Sequence, residues 1–309
     1  MSRAGTPTYD QLRIFLAVVE AGGFAAAARR LGRAVSVVSY GITHLEAQLG
    51  VTLFEREGAR SPGLTEAGRS VLAEAQAIAS GFDALTAKVQ GLLDGLEAEL
   101  HLAVDVMLPA DRIGVILRAF ATRFPTVSLR LHVEALGGVA ARVASGGATL
   151  GISGPVGLEA PGLDREQAGC LALLPVAAPD HPLARLQPIP PGAVRQHVQL
   201  VLSDPSGATR GRDFAVLSPD TWRLSDLGAK AALLREGIGC GNMPQPAIAN
   251  DLLTGTLVRL EIPESPGGLY RFFAIWRRDH PPGPAATWLR AQFVAHCATD
   301  VAPPGLAEL

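Results

Sequence analysis

The sequence predicts an α/β protein preceded by an all-α helix-turn-helix module and a long connecting helix. Three observations carry this. Residues 9–49 hold three helix patterns separated at glycines; residues 71–96 repeat apolar side chains at alternating spacings of four and three; and from Glu99 onward strand-like apolar runs alternate with helix patterns.

The first helix pattern is Tyr9–Ala21, with Leu12, Phe15, Leu16 and Val19 on one face. An alanine-rich helix, Phe24–Leu31, follows and stops at Gly32. After a short turn, Val35–Leu49 forms a third helix whose buried stripe is Val38, Ile42, Leu45 and Leu49. Its first half is left with Ser36, Ser39, Tyr40, Thr43 and His44 facing outward, beside Arg33 and Val35. Two helices around a glycine turn, the second with a hydroxyl-rich front, make a helix-turn-helix pattern. Such a front can enter a major groove, where hydroxyls meet phosphates and base edges. Taken alone, this stretch fits an ordinary helical hairpin of an enzyme equally well.

The flanks separate these readings. Thr52–Phe54 and the return at Gly63–Leu64 form a small hairpin, with Arg56 and Arg60 near its tip, and Thr65 caps the next helix. The array Leu12-x-x-Phe15 … Ala26-Ala27-Ala28-x-x-Leu31 … Ser36-x-x-Ser39-x-x-Ile42-x-x-Leu45-Glu46-x-x-Leu49-Gly50-x-x-Leu53-Phe54 … Leu64-Thr65-x-Ala67-Gly68 resembles the DNA-binding end of the LysR-type transcriptional regulators. The resemblance implies a winged helix-turn-helix over residues 1–64. It implies DNA contacts from Arg33, Val35, Ser36, Ser39, Tyr40, Thr43 and His44, and from Arg56 and Arg60 in the wing. The chain departs from the family at Ala34-Val35-Ser36, where Ser-Gln-Ser is common, and at Tyr40, where Arg is common. Val35 offers only apolar contact, such as with a thymine methyl, and Tyr40 brings no charge. The operator sequence therefore does not transfer from relatives.

The next helix pattern covers 65–96. Val71, Ala75, Ile78, Phe82, Leu85, Val89, Leu92 and Leu96 make an a/d seam. The strict 3.5 period favours a coiled coil over a helix packed on its own domain. In the resemblance this is the linker helix that pairs two subunits.

Beyond it, Leu100–Val106, Ser128–Val133 and Ala148–Ser153 are strand patterns, with helices at Ala110–Phe124 and Val139–Ser145 between them. A second series runs from Leu171 through strands His197–Leu202 and Thr221–Leu224, helices Leu227–Glu236 and Pro246–Leu253, and strand Leu257–Ile262. Strand Tyr270–Trp276 and helix Ala285–His296 close the series. Strand–helix alternation argues for parallel strands with crossover helices. The resemblance implies two Rossmann-like subdomains, similar to periplasmic binding proteins, with a ligand cleft between them. Subdomain I spans about 97–172 and 269–309, and subdomain II about 173–268, with crossings near Cys170–Pro175 and Gly268–Arg271. Ligands of open α/β sheets bind beyond the carboxyl ends of strands. That rule selects Asp105, Met107, Leu108, Ser153, Ser203, Asp204, Ser206 and Asn242 as effector-binding candidates, although each polar residue among them could equally be a cap or turn residue.

Composition and motifs narrow the function class. The 309 residues are 48% hydrophobic and 18% charged, enough for a sizeable core. The net charge of −2 divides into +2 over residues 1–64 and −4 over the rest, weak support for an amino-terminal DNA contact. No apolar run is long enough to span a membrane and Met1–Thr8 is no signal peptide, so the expected location is the cytoplasm. Cys170, Cys240 and Cys297 are far apart, have no metal spacing, and are expected as three buried thiols. His181 lies in a turn, Ala178-Pro179-Asp180-His181-Pro182-Leu183, where a loop role is expected. Gly237-Ile238-Gly239 follows a helix and lacks a ribose-binding acid downstream, so it is expected as a helix end and not a dinucleotide loop. No nucleophile elbow, phosphate loop, metal site or cofactor site is found. A solute-binding protein, or an α/β enzyme domain fused to a helical module, would suit the second half but leaves the first unexplained.

The resulting expectation is a regulator, not an enzyme. Its partners would be double-stranded DNA at an interrupted inverted repeat, a small-molecule effector, RNA polymerase, and a second copy of itself. The resemblance also implies pairing of dimers into tetramers.

Overall fold

We describe the protein from a computed structural model over residues 5–55, 63–204, 207 and 214–297. It divides into two compact units, residues 1–90 and 91–309.

In the first unit, α1 is Tyr9–Ala21, α2 is Phe24–Leu31 and α3 is Val35–Leu49, the bounds the sequence patterns predict. A capping box starts α1: the Thr8 hydroxyl accepts from Gln11 N–H, and Thr8 N–H donates to the Gln11 side chain at 2.7 Å. Gly22, Gly32 and Gly50 end the three helices in the left-handed conformation. Phe15, Val18, Ala27, Ala28, Val38, Ile42, Leu45, Leu53 and Phe54 form the core. Gly41 allows α3 to close on α1, since a Cβ there would lie 2.8 Å from Ile14 Cδ1. Leu49, expected at the end of the buried stripe, is 37% exposed. The helix stops at the next residue and Val51 beyond is exposed too, so this end of α3 projects past the core.

The base of the wing is present. Phe54 and Leu64 bridge antiparallel, Glu55 N–H donates to Gly63 O at 2.8 Å, and Thr65 N–H donates to Leu53 O at 3.0 Å. The Glu46 carboxylate on α3 accepts from Leu53 N–H at 2.6 Å and fixes this base. Thr65 caps α4 (Glu66–Leu93) by accepting from Gly68 N–H at 2.9 Å. Gly68 is needed there, because a Cβ would sit 2.1 Å from Leu53 O.

The seam on α4 splits into two parts. Ala75 is buried and Val71 half-buried in the core of the first unit, whereas Ile78, Phe82, Leu85, Val89 and Leu92 are exposed. The helix ends at Leu93, three residues short of expectation. Gly95 turns the chain at φ +80°, and Leu96 packs into the main core of the second unit instead of extending the seam.

The second unit contains a mixed sheet. Its strands are β1 (Glu99–Asp105), β2 (Ser128–Glu134), β3 (Leu150–Ser153), β4 (Leu163–Ala177), β7 (Gly241–Pro244), β8 (Val258–Arg259) and β9 (Gly268–Arg277). The order is β2-β1-β3-β9-β4-β7, with β8 also on β4. β1 pairs parallel with β2 and β3, as the alternation predicts; β9 runs antiparallel to both β3 and β4. β5 (Gln199–Leu202) and β6 (Thr221–Leu224) pair parallel. Helices α5 (Ala110–Arg123) and α9 (Pro284–Cys297) cover one face through Ile116, Phe120, Leu289 and Phe293; α6 (Gly138–Ala144) covers the other through Val139 and Val143. A further core gathers Leu174, Val176, Leu200, Met243 and Ile248 with Ala231 and Leu234 of α7 (Leu227–Arg235).

Several elements differ from expectation. β4 begins eight residues before Leu171, because its first half carries the exposed, polar Arg165-Glu166-Gln167. β7 is a strand hidden by its Gly and Pro. The helix expected at Pro246–Leu253 is a 3-10 turn, Gln245–Ile248, followed by α8 (Ala249–Thr254), and the strand expected at Leu257–Ile262 shrinks to β8. The two expected crossings meet: Leu171 pairs with Tyr270 and Leu173 with Gly268 across β4 and β9. None of the three cysteines is in a disulfide among the described residues; Cys240 and Cys297 are buried as expected, and Cys170 is only half-buried. Gly237 and Gly239 follow α7 at φ +75°, as expected of a helix end. Among the described residues no single helix is long and apolar enough to cross a membrane.

Candidate DNA-binding surface and effector site

Ala34 precedes α3 as its N-cap and supplies no side-chain hydrogen bond. The first N–H groups of the helix are therefore free of side-chain acceptors, and Val35, Ser36 and Val37 around them are exposed. Tyr40 is 70% exposed, and Ser39 is half-buried. Thr43 and His44 are exposed but partly engaged: the Thr43 hydroxyl donates to Ser39 O at 3.0 Å, and His44 Nδ1 lies 3.0 Å from Gln11 Nε2. Arg33 grips Asp10 with two hydrogen bonds of 2.7 and 2.8 Å. That guanidinium holds the Asp10 carboxyl below the usual carboxylate range. Arg33 thus ties the start of α1 to the turn before α3. Val37, just off the Val38–Ile42–Leu45 stripe, is exposed on the same front of the helix. Arg56 and Arg60 lie outside the described residues.

The effector candidates divide by burial. Asp105, at the carboxyl end of β1, is fully buried. Its Oδ1 accepts from Met107 N–H at 2.9 Å; its Oδ2 accepts from Gly154 N–H at 3.1 Å and from the Tyr270 hydroxyl at 2.8 Å. Burial pushes this carboxyl up to about 6, against the pull of those three donors. Asp105 is therefore a strut joining β1, the loop after β3 and β9, and not a side chain lining an open cleft as expected. Met107 and Leu108 are buried in the same apolar cluster as Leu202, at the carboxyl end of β5. Ser153 is also fully buried, and among the described residues its Oγ has no hydrogen-bond partner. Ser203, Asp204 and Asn242 are half-buried, and Ser203 Oγ donates to Leu224 O at 3.1 Å. Ser206 lies outside the described residues.

Two residues of this region were not predicted. Tyr270 sits where β9 meets β4, and a Cβ on Gly154 would fall 1.9 Å from its hydroxyl oxygen. Lys230, on α7, is buried, and its Nζ donates to Asn242 O at 2.8 Å. The readable signal for Lys230 was a single lysine within the apolar run Leu227–Leu234.

Two family profiles match the chain: the LysR substrate binding domain over residues 93–298, and the bacterial regulatory helix-turn-helix protein, lysR family, over residues 9–69. The chain is 29% identical over 295 residues to a probable HTH-type transcriptional regulator, YhaJ, of Escherichia coli K12, covering 93% of this chain and 96% of that one. It is 28% identical over 286 residues to the HTH-type transcriptional regulator AceR of Acinetobacter baumannii, covering 91% and 94%. Among solved structures, a hydrogen-peroxide-bound mutant of Corynebacterium glutamicum OxyR shares the fold at TM-score 0.52 and 22% identity, covering 95% of this chain and 96% of that chain. Full-length LysG of the same organism does so at 0.51 and 18%, covering 96% and 100%. A DNA-reading helix-turn-helix at one end and an effector-binding α/β domain at the other are the two parts of a transcriptional regulator, and this chain belongs to the LysR family.

Proposed function

We propose that this regulator acts in the cytoplasm as a homodimer whose two α3 helices read the half-sites of an interrupted inverted repeat in double-stranded DNA. The observation that carries this is the exposed apolar row Ile78, Phe82, Leu85, Val89 and Leu92 on α4. These five large apolar side chains recur at heptad spacing and stay about half exposed among the described residues, Phe82 with one face on Tyr9, and a second α4 supplies the remaining cover. Ser36, Ser39, Tyr40, Thr43 and His44, with Val35 and Arg33, meet the major groove. The start of α3, where Ala34 supplies no side-chain cap, suits a phosphate, and Arg56 and Arg60 reach the backbone or minor groove.

A small molecule binds near the Asp105–Leu108, Ser153 and Ser203–Ser206 segments and Asn242, between two α/β subdomains. To act, it must favour one of two arrangements of the dimer over the other. The shift alters spacing of the DNA heads and contact with RNA polymerase, and dimers pair into tetramers. Sedimentation together with footprinting tests the reading. The expected result is a dimer or larger assembly protecting two half-sites, and a monomer protecting one site overturns it. For α3 the test is a Tyr40→Ala, Thr43→Ala double variant, which should lose sequence preference; normal operator binding would mean another face of the helix reads the DNA.

A further inference from the structure

The first turn of α1 meets α3 through one amide side chain. Gln11 is half-buried, and its Oε1 accepts from Thr8 N–H at 2.7 Å and from the Thr8 hydroxyl at 3.0 Å. A backbone N–H only donates, so the amide oxygen must face Thr8 and the amide nitrogen must face away. Gln11 Nε2 lies 3.0 Å from His44 Nδ1, 33 positions along the chain. An amide nitrogen only donates, so Nδ1 must accept, and the ring proton sits on Nε2. The capping box of α1 therefore assigns the tautomer of a side chain on α3. His44 is exposed, and its ring lies beside that of Tyr40, one turn earlier, with centroids 5.8 Å apart. With Nδ1 engaged, the polar group it presents outward is a single Nε2–H donor. Asp10, the neighbour of Gln11, holds Arg33 in the same way, so the first turn of α1 braces α3 at two places.

We infer that Gln11 is a positioning residue for sequence recognition: it holds His44 as the Nε2–H tautomer, and His44 then selects guanine on a base edge in the major groove. The inference rests on the proposed entry of α3 into that groove and adds the base that one side chain reads. Guanine places two acceptors, O6 and N7, side by side on this edge. Adenine sets an N6 donor beside its N7, cytosine offers the N4 donor, and thymine crowds its O4 with a methyl group. A lone N–H is satisfied by guanine at either acceptor, meets a competing donor on adenine, and finds no acceptor on cytosine.

The test is selection of duplexes from a fully randomised library by the full-length protein at pH 8.5, where a neutral imidazole predominates. The wild type should enrich guanine at one position of each half-site. His44→Ala and Gln11→Leu should each lower that guanine preference by about fivefold, the size of one net hydrogen bond. Their double variant should lose no more than either alone, since both act on one contact. Gln11→Glu keeps the capping box, because glutamate serves at this position as well as glutamine. Its carboxylate accepts from Nδ1–H, which moves the ring proton off Nε2 and leaves an acceptor facing the groove. The selected base should then change from guanine to adenine or cytosine, a change that a purely structural role of Gln11 would not cause. An equal loss of affinity for all duplexes in His44→Ala would make His44 a phosphate contact and overturn the inference. Unchanged guanine preference in Gln11→Leu, or guanine still selected by Gln11→Glu, would leave Gln11 a helix cap alone and overturn it too. The Tyr40→Ala, Thr43→Ala variant separates this inference from the wider reading. If it changes the selected sequence while the His44 and Gln11 variants do not, the inference alone falls. If none of the variants changes it, α3 does not read the DNA.

Discussion

The Tyr270 hydroxyl donates a 2.8 Å hydrogen bond to Asp105 Oδ2, joining residues 165 positions apart in the chain. Asp105 ends β1 and Tyr270 lies where β9 meets β4, so this bond pins one crossing strand to the end of the neighbouring sheet region.

That carboxyl gives a pH signature. Burial raises Asp105 from 3.8 to about 6. Between those values the folded chain keeps a proton the unfolded chain has released, so stability falls as pH rises through the window and levels off above it. A shift of about two units corresponds to roughly 3 kcal/mol. Paired surface acids such as Asp10 and Asp279, held below their ordinary values, act in the opposite sense at lower pH. The comparison is therefore between urea midpoints of wild type and Asp105→Asn at pH 4.5 and 7.5. The wild type should gain stability at pH 4.5 relative to the variant, and parallel behaviour of the two would show that Asp105 does not carry the proton.

Gly154 and Tyr270 make a steric prediction at the same strut. A Cβ at position 154 would meet the phenol oxygen at 1.9 Å and its ring carbon Cζ at 2.4 Å. Gly154→Ala must expel the ring and should lower stability by about 3 kcal/mol or more. Tyr270→Phe only removes one donor and should cost about 1–2 kcal/mol. Denaturant unfolding of both variants checks the ranking; an innocuous Gly154→Ala would mean the loop relaxes freely around the ring.

In the first unit, Arg33 and Asp10 predict a difference between partners. If Arg33 also meets a phosphate, Arg33→Ala should weaken all operators and reduce the salt slope of binding by about one unit. Asp10→Ala frees the guanidinium and should leave the slope unchanged. Equal losses from the two variants, with the slope intact, would reduce Arg33 to holding the turn before α3.

The contrast between the two ends of the chain shows what a sequence makes legible. Helices α1, α2 and α3 each end at a glycine in the left-handed conformation and carry a one-sided apolar stripe, so local rules set their bounds. The effector side depends on contacts between distant segments. Nothing near Asp105 in sequence announces Tyr270, and the donors that hold it come from positions 107, 154 and 270. Burial of Met107, Leu108 and Ser153 likewise follows from how the loops close together, which residue type and strand-end position do not encode. β7 was missed because Gly241 and Pro244 argue against a strand until β4 is there to pair with it.

The last prediction concerns α4. Phe82 stacks on Tyr9 of its own chain, with ring centroids 4.3 Å apart, so it serves the packing of α1 against α4 as well as the exposed row. Phe82→Asp would damage both and could not separate them. Leu85 is 59% exposed. Covering the exposed half of such a side chain contributes roughly 1 kcal/mol, twice over in a symmetric dimer. Leu85→Asp removes both copies and places two carboxylates in an apolar seam, which adds a desolvation cost. The dimer dissociation constant should rise by about a hundredfold or more, equivalent to roughly 3 kcal/mol. Operator affinity should collapse with it, because two linked heads bind far more tightly than one. Tyr9→Ala, by contrast, should lower the stability of the first unit and leave the dimer intact. Sedimentation equilibrium on both variants decides: a Leu85→Asp protein that remains a dimer at wild-type concentrations would place the subunit contact on another surface.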